Sequence, residues 1–294
     1  MKSCGPAAVR CKISSSLQVW VKKHLPADYS AGCIFTPVEG LSSKSWRIVA
    51  GNHHCLARHE SAEKRLLGIS RKRECRLLRS LTPQAIAPSV ICWQSPWLAV
   101  SWINGQTLNT ASFFSQSAQK RLATMLAALH GSTPQGEPLD LKRRLQIYWQ
   151  SVDPQRLSPA WLRVHQRLMK RRLPSPVKMS TAHMDIHPEN WVEGAQGDRL
   201  IDWEYAANAD IALEFAALFC ANGYSVQQQT QLLRYYAQSG GYSDILKLER
   251  QVRRWQPWLE YLMLMWFEVR WQQTADVRYI DWAQPLRQKL FNEL

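Results

Sequence analysis

The chain has seven cysteines but no C-x-x-C pair; they stand at positions 4, 11, 33, 55, 75, 92 and 220. Zinc ribbons and small disulfide-linked secreted domains both require cysteines at short, repeated spacings, so the sequence fits neither class. Scattered thiols of odd number are typical of proteins in a reducing compartment. We therefore expect free cysteines and a cytoplasmic location.

Long apolar runs are also missing from the sequence. A membrane-spanning helix needs about 18 or more consecutive apolar residues, and no such run occurs. The N-terminal stretch MKSCGPAAVRCKISSS is basic but lacks the apolar segment of roughly 7–15 residues found in secretory signals. We expect neither a membrane span nor a secretory signal, and we predict that residues 1–15 form a disordered tail.

Acidic residues are few relative to basic ones. The 23 Asp and Glu residues are outnumbered by 37 Lys and Arg residues, which gives a formal net charge of +14 at pH 7. Such an excess favours anionic partners, and a nucleotide satisfies that requirement as well as nucleic acid does. The basic residues occur as short KK, RKR and KRR fragments within apparently helical segments. Because they form no long basic tail, nucleic-acid binding as the main function is not favoured.

The first third of the chain has the pattern of an antiparallel sheet. Residues 45–50 alternate apolar and polar side chains, Gly51 and Asn52 form a turn signal, and residues 54–58 return. This pattern predicts a hairpin within a strand region. Further predicted elements are a first strand beginning at residue 34, a helix over residues 61–81, and a second strand pair over 88–93 and 97–103.

After residue 103 the pattern becomes mainly helical. Strands followed by helices predict an α+β fold with two lobes, a small β-rich N-terminal lobe over 16–102 and a large, mostly helical C-terminal lobe over 103–294. One strand-like island over 178–203 interrupts the helical half. The predicted helices cover 116–130, 140–151, 158–172 and most of the chain from residue 211 onward.

Residues 181–191 read TAHMDIHPENW and place a carboxylate and an amide five positions apart. The turn-rich stretch 194–198 follows, and a hairpin across it would bring Asp202 back beside Asn190 and within reach of Asp185. Phosphoryl transfer from a nucleotide needs such a trio, because one carboxylate orients the attacking hydroxyl while a second carboxylate and an amide oxygen hold Mg²⁺. The cluster therefore indicates a phosphoryl-transfer site.

Zinc binding is an alternative interpretation of the same stretch. His183 and His187 flank Asp185 at alternate positions, a spacing that puts three candidate ligands on one face of a strand. Pro188 interrupts any helix that would pair the two histidines, and no further cluster of cysteine and histidine follows. A purely loop-stabilising role for these residues is a third interpretation.

The combined pattern H-x-D-x-x-x-x-N over residues 183–190 and I-D-x-E over 201–204 resembles the signatures of the aminoglycoside phosphotransferase and choline kinase superfamily. The resemblance implies a bilobal protein-kinase-like fold and a kinase that uses ATP and Mg²⁺. It also implies that Asp185 is the catalytic base and that Asn190 and Asp202 are magnesium ligands.

Supporting residues follow from the same resemblance. His183 would be structural and support the catalytic loop, and Arg58 stands where the superfamily places a lysine that clamps the α- and β-phosphates. An arginine keeps the positive charge but is longer and planar, so the geometry of the clamp would differ. We predict that Glu74 pairs with Arg58, and Glu63 is the alternative partner.

The remaining nucleotide contacts are predicted from the strand region. Segment 39–45 precedes a strand, where a kinase places its phosphate-covering loop, and Ser42 and Ser43 are predicted to donate hydroxyl groups to the phosphates. Its single glycine is equally compatible with an ordinary surface turn. The end of the last predicted strand fits the connection between the lobes, with Val100 and Trp102 around the adenine.

The acceptor pocket is predicted from the high number of aromatic residues. The chain contains 14 tryptophans, and aromatic residues stand beside carboxylates after Asp202 and again over residues 266–271. Such a surface suits a flat organic cation through cation–π and charge contacts, although core packing is the more common role of a tryptophan. The predicted acceptor-binding residues are Trp203, Glu204, Trp266, Glu268 and Trp271.

Three segments make the resemblance more specific, since residues 202–214, 250–258 and 266–271 are similar to the bacterial thiamine kinases of this superfamily. The similarity implies phosphoryl transfer from ATP to the hydroxyl of the small molecule thiamine, which gives thiamine phosphate in thiamine salvage. Two alternatives remain open. One is a kinase for choline, an aminoglycoside or another alcohol, and the other is a non-catalytic protein that binds nucleotides or nucleic acid.

Overall fold

The described part of the N-terminal lobe contains five strands, β1 (Ile34–Val38), β2 (Ser45–Ala50), β3 (His53–His59), β4 (Val90–Gln94) and β5 (Trp97–Ser101). They form one antiparallel sheet in the order β1-β2-β3-β5-β4. The computed structural model describes residues 6–30, 32–38, 45–51 and 53–293. Within these ranges the predicted hairpin is confirmed as β2–β3 and the second predicted pair as β4–β5.

Helix α1 (Pro6–His24) covers the outer face of this sheet. Leu17 and Trp20 are buried against the strands, and their helical spacing forms an apolar stripe that anchors the helix. Helix α1 is described from Pro6 onward, and the tail predicted over residues 1–15 stays a prediction. Residues 1–5 lie outside the described ranges.

Strand β3 separates two environments. Successive side chains of a strand point to opposite faces, so Cys55 and Ala57 are buried on the side of α1. Leu56 and Arg58 point the other way and line a cleft. The position of Arg58 in the cleft is thus set by the two-residue period of the strand.

The remaining helices of this lobe are α2 (Pro26–Ser30), α3 (Ala62–Leu66) and α4 (Arg71–Leu81). The sequence predicts a single helix where α3 and α4 occur. Gly68 stands between them with φ +82°, a left-handed conformation that glycine adopts readily. The Leu67 carbonyl oxygen accepts a hydrogen bond of 3.0 Å from the Tyr148 hydroxyl in the other lobe. The break is therefore held by a contact between residues distant in sequence.

The C-terminal lobe is mainly helical, as predicted, and most of its helices bury one face in a common apolar core. The helices are α5 (Thr110–Phe113), α6 (Gln116–Gly131), α7 (Leu141–Ser151), α8 (Pro159–Lys170), α9 (Ile211–Asn222), α10 (Val226–Gln238), α11 (Ile245–Thr274) and α12 (Arg278–Glu293). The helices predicted over 116–130, 140–151 and 158–172 are confirmed as α6, α7 and α8, with ends shifted by one or two residues.

Among the described residues of this lobe there are five short strands: β6 (Gln106–Thr107), β7 (Met179–Ala182), β8 (Trp191–Gly194), β9 (Gly197–Leu200) and β10 (Ala207–Asp210). Strands β6, β8 and β9 form one antiparallel sheet, and β7 pairs with β10. The predicted return of the chain is confirmed, because β8 and β9 form a hairpin with Trp191 opposite Leu200. The fold is the bilobal α+β, protein-kinase-like one.

The chain passes from the first sheet to the second between Ser101 and Gln106. The division of the chain after residue 102 falls in this connection and stays a prediction. Among the helices of the described ranges, none combines the length and apolar character that crossing a membrane requires.

Candidate active site

A cleft of about 1510 Å³ lies between the two lobes. Both lobes contribute to its walls, and the predicted base and the two predicted metal ligands all line it. The predicted site residues among its lining are Arg58, Glu74, Val100, Trp102, Asp185, Asn190, Asp202, Trp203, Glu204 and Trp266. Residues that are separated by up to 208 positions in sequence therefore meet in one cavity.

The loop after β7 carries the predicted base. The Asn190 side-chain amide donates hydrogen bonds to the Asp185 carbonyl oxygen at 2.9 Å and to Asp185 Oδ2 at 3.3 Å. These bonds use the amide nitrogen of Asn190 and leave its amide oxygen to another partner. Asp185 keeps about a third of its side chain exposed to the cleft. The loop thus presents one carboxylate and one amide oxygen together.

His183 ties this loop to the segment that ends at Asp202. Its Nδ1 accepts the backbone N–H of Asp185 at 3.3 Å, so its Nε2–H donates to the Ile201 carbonyl oxygen at 2.9 Å. Complete burial lowers the pKa of His183 to about 3, and the ring is neutral. Both nitrogens are engaged within the protein, which fits the structural role that the resemblance implies and removes His183 from the zinc alternative.

Glu214, on α9, also supports this loop, and the sequence predicted no role for it. Its carboxylate accepts the backbone N–H groups of His183 at 2.5 Å and of Met184 at 3.1 Å. Met184 has φ +67° and Asp202 has φ +64°, conformations that cost a non-glycine residue on the order of 1–3 kcal/mol each. Backbone strain is thus present in both segments that carry the predicted site, next to Asp185 and at Asp202 itself. The one sequence signal for Glu214 is an acid within the apolar run IALEFAALF.

The protonation of Asp185 reflects its enclosure. Burial in the cleft raises the pKa of this carboxyl to about 7, with a further rise from the nearby Asp202 and Glu204. His187, whose Nε2 lies 3.9 Å from Asp185 Oδ2, acts in the opposite direction. A carboxylate with a pKa near neutrality is suited to accept a proton from a hydroxyl group.

Arg58 is the centre of a buried group of charges. Its guanidinium donates to Glu74, to Asp202 and, at 2.7 Å, to Glu204. The predicted pairing is therefore present, and Glu74, not the alternative Glu63, is the partner of Arg58. Burial disfavours the charged form of Arg58, but Asp202, Glu74 and Glu204 together raise its pKa, so it stays a cation.

Two further cations complete this group, which we call the Arg58 cluster. Arg71 is fully buried and donates to Glu74 and, at 2.9 Å, to Glu204. Lys64 Nζ lies 3.8 Å from Glu204 Oε2. Burial and the neighbouring Arg71 lower the pKa of Lys64 to about 7. The Arg58 cluster consists of Arg58, Lys64, Arg71, Glu74, Asp202 and Glu204.

Comparison with known proteins places this arrangement in a family. The family described as "Phosphotransferase enzyme family" matches residues 36–258, about three quarters of the chain. The chain belongs to this family. A thiamine kinase of Escherichia coli O157:H7 is 40% identical over 211 residues, which are 72% of this chain and 73% of that protein. A thiamine kinase of Shigella dysenteriae serotype 1 (strain Sd197) is 39% identical over the same shares.

Solved structures of this phosphotransferase fold cover nearly the whole chain. The choline kinase LicA from Streptococcus pneumoniae superposes with a TM-score of 0.76 at 16% identity, over 96% of this chain and all of that one. The GDP and kanamycin complex of APH(2")-IIia gives 0.65 at 17% identity, over 95% and 99% of the two chains. At these identities the likeness shows the shared fold.

One end of the phosphotransferase cleft is lined by the connection between the lobes. Val100 and Trp102 both line it, as predicted for the adenine site. The Trp102 backbone N–H donates to the His54 carbonyl oxygen at 3.1 Å, and the Arg47 guanidinium lies 4.5 Å from the Trp102 ring. Ser42 and Ser43, predicted to donate to the phosphates, lie outside the described residues.

Another part of the cleft, which we call the aromatic end, is lined by residues of α11 and α12 and by Tyr205. Trp266 lines it as predicted, and its indole Nε1–H donates to the Tyr205 hydroxyl at 2.9 Å. Tyr205, Phe267 and the half-exposed Trp282 line it as well. Tyr205 and Phe267 belong to the two aromatic stretches of the sequence but were not predicted as acceptor residues, and Trp282 was missed. Tyr205 stands three positions after Asp202, which is the one local signal for its proximity.

Two predicted acceptor residues lie elsewhere. Glu268 is buried and accepts two hydrogen bonds from Arg156, at 2.7 and 3.0 Å, and Trp271 stacks on the same guanidinium at 4.1 Å. Neither is among the residues that line the cleft. The reason is helical geometry, because each residue turns about 100° around α11 and the face of Trp266 is not that of Glu268 or Trp271.

Trp203 and Glu204 line the cleft but are held by the protein itself. The Trp203 indole is almost completely buried, donates to the Leu200 carbonyl oxygen at 2.7 Å and lies against the His183 ring. Glu204 is buried in the Arg58 cluster. Both side chains are therefore engaged by contacts within the protein.

Proposed function

We propose that this phosphotransferase is a thiamine kinase, which transfers the γ-phosphoryl group of ATP to the hydroxyl of thiamine and gives thiamine phosphate and ADP. The identity of about 40% to proteins named thiamine kinase supports this acceptor. The observation that carries the proposal is the position of Asp185. It lines the same cleft as the cationic Arg58 and the aromatic Trp266, so a phosphate donor and an aromatic cation can both reach it.

Asp185 acts as the base in this proposal. Its carboxylate orients the hydroxyl group of the acceptor and takes up the proton as the new P–O bond forms. The bonds from the Asn190 amide fix the orientation of the carboxylate before the acceptor arrives. The β–γ bond of the nucleotide breaks on the opposite side of the phosphorus, and ADP leaves.

Asn190 and Asp202 would hold Mg²⁺. The donor set fits this ion, because an amide oxygen and a carboxylate oxygen are hard ligands, and Mg²⁺ keeps several waters and needs few protein contacts. When bound, the ion would neutralise charge on the phosphate oxygens. Asp202 offers Oδ2 for this purpose, since Arg58 contacts Oδ1.

The nucleotide would lie along the first lobe. Arg58 supplies positive charge for its phosphates, Ser42 and Ser43 supply hydroxyl donors, and Val100 and Trp102 enclose the adenine. The thiazolium ring of thiamine is a flat cation and would lie against Trp266 at the aromatic end, where cation–π contact and the charge of Asp185 both favour it. Tyr205 fixes the orientation of the Trp266 indole.

A panel of acceptor alcohols tests this function. Purified protein is incubated with ATP and Mg²⁺ together with thiamine, choline, ethanolamine or kanamycin, and kcat/KM is measured for each. We expect thiamine to have the highest value and to yield thiamine phosphate. A higher value for another alcohol would refute the acceptor, and absence of any phosphorylated product would refute the kinase.

A further inference from the structure

Three carboxylates surround the guanidinium of Arg58, and they differ in their access to the cleft. Nη1 donates to Glu74, whereas Nη2 donates to both Asp202 and Glu204. The side chains of Glu74 and Glu204 are 2% and 1% exposed, but that of Asp202 is 29% exposed. Two contacts of Arg58 are therefore buried, and one opens to the space where ligands bind.

The two buried carboxylates are fixed from behind as well. Arg71 donates to both Glu74 and Glu204, so it bridges the same pair that Arg58 bridges. Arginine is suited to this arrangement, because its planar fork holds two carboxylates with two nitrogens while a lysine has a single nitrogen. If the contact with Asp202 is lost, Glu74 and Glu204 still hold Arg58 in place.

The charge around Glu204 also argues against a role in binding a cationic acceptor. Arg58, Arg71 and Lys64 all have a nitrogen within 3.8 Å of Glu204 Oε2. One negative charge is thus shared by three basic side chains. The charge of Glu204 is therefore already compensated within the cluster, so this carboxylate offers an approaching organic cation little attraction.

On the basis of the proposed kinase activity, we infer that Glu204 is a positioning residue that aims Arg58 at the phosphates of the nucleotide. In this arrangement Asp202 is the exchangeable partner, which Arg58 releases when the nucleotide binds with its metal ion. Glu204 then acts on the nucleotide through Arg58 and does not contact the acceptor. The acceptor role predicted for Glu204 from the sequence is replaced by this one.

The Glu204→Gln variant tests the inference through binding alone. ADP is titrated into the protein without metal ion or acceptor, and the dissociation constant is read from tryptophan fluorescence. Loss of a buried charge-assisted bond should loosen Arg58 and raise the dissociation constant roughly tenfold. In steady-state assays the KM for ATP should rise by a similar factor, while the KM for thiamine stays within about twofold.

A double-mutant cycle with Arg58→Lys shows whether Glu204 acts through Arg58. A lysine is shorter and carries all its donors on one nitrogen, so it does not bridge the carboxylates as Arg58 does, and the second substitution removes little that the first has left. The dissociation constant of the double variant for ADP should therefore exceed that of the more weakly binding single variant by no more than about threefold. Multiplicative effects of the two substitutions would overturn the inference.

Matched controls come from an exposed pair outside the cleft lining, Arg121 and Glu193, which are 39% and 46% exposed. Glu193→Gln and Arg121→Lys should leave ADP binding unchanged. If Glu204→Gln does not fold, as judged by circular dichroism, Glu204→Asp withdraws the carboxylate by one carbon and keeps the charge. Wild-type ADP affinity in that variant would overturn the inference.

Two other outcomes assign Glu204 differently. Unchanged ADP affinity with a raised KM for thiamine would make it an acceptor ligand, and unchanged metal-free affinity with a raised Mg²⁺ requirement would make it a metal ligand. Either result overturns the positioning role. Because the titration contains no acceptor, it decides this question even if the acceptor panel shows that thiamine is not the substrate.

Discussion

The Arg58 cluster and the aromatic end, which both line the interlobe cleft, are built differently. In the Arg58 cluster two arginines share two buried carboxylates, and each charge depends on its neighbours. At the aromatic end the rings of α11, α12 and Tyr205 form a wall in which a side-chain hydrogen bond links Trp266 to Tyr205. The first is fixed by charge pairing, and the second by the packing of rings.

This difference shows how one fold can treat two ligands differently. Removal of one member of a buried ion-pair network leaves the others uncompensated, so the network resists change. An aromatic wall loses contact area and cation–π energy in proportion to what is removed, so it tolerates substitution. A kinase can therefore hold its phosphate donor rigidly while its acceptor pocket adapts.

The largest effect on activity is expected at Asp185, which lines the cleft together with the Arg58 cluster and the aromatic end. Asp185→Asn keeps the size of the side chain but removes the base, so kcat should fall about a thousandfold. Binding of ADP, measured by fluorescence titration, should remain within a few fold of wild type. Asp198→Asn, at a partly exposed ion pair with Arg121, is the matched control and should keep its activity. Retention of turnover in Asp185→Asn would show that another group is the base.

A smaller effect, confined to one reactant, is expected at the aromatic end. Trp266→Leu removes the aromatic face, and loss of a desolvated cation–π contact should raise the KM for thiamine by roughly 30-fold with little change in the KM for ATP. Trp271→Leu, on the face of α11 that contacts Arg156, should leave both constants near wild type. Equal rises in the two variants would contradict the assignment of the aromatic end.

The smallest effect on activity is expected at Glu214, which supports the catalytic loop. Glu214→Gln replaces one of the oxygens that accept from His183 and Met184 by a donor, so kcat should fall by roughly fivefold with ADP binding preserved. Glu249→Gln on α11, outside the cleft lining, provides the comparison. If the affinity for ADP fell by the same factor as kcat, Glu214 would support nucleotide binding as much as the catalytic loop.

We also expect the titration of Glu214 to make the stability of the protein depend on pH. Burial raises the pKa of Glu214 from its ordinary value of 4.5 to about 7, so the folded state keeps a proton that the unfolded chain loses between these pH values. Its contribution to the free energy of unfolding is complete below pH 4.5 and declines as the pH rises through 7. Denaturant unfolding of wild type should show this decline relative to Glu214→Gln, and parallel profiles would contradict it.

Sequence reasoning predicted local features well, because short-range rules govern them. The hairpin β2–β3, the return of β8 and β9 past each other and the pairing of Arg58 with Glu74 all follow from strand alternation, turn residues or a motif of known spacing. The placement of Glu268 and Trp271 was wrong, because a helical pattern gives relative angles but not which face meets the cleft.

The sequence by itself determined the strand and helix pattern, the resemblance to a phosphotransferase family and the three side chains predicted to carry the chemistry. The tertiary structure decided which other residues meet them. Glu214 supports the catalytic loop from 30 positions away, and Arg58 contacts Asp202 across 144 positions. Such contacts depend on how helices and sheets pack, and packing is set by the whole chain at once, so no local pattern encodes them.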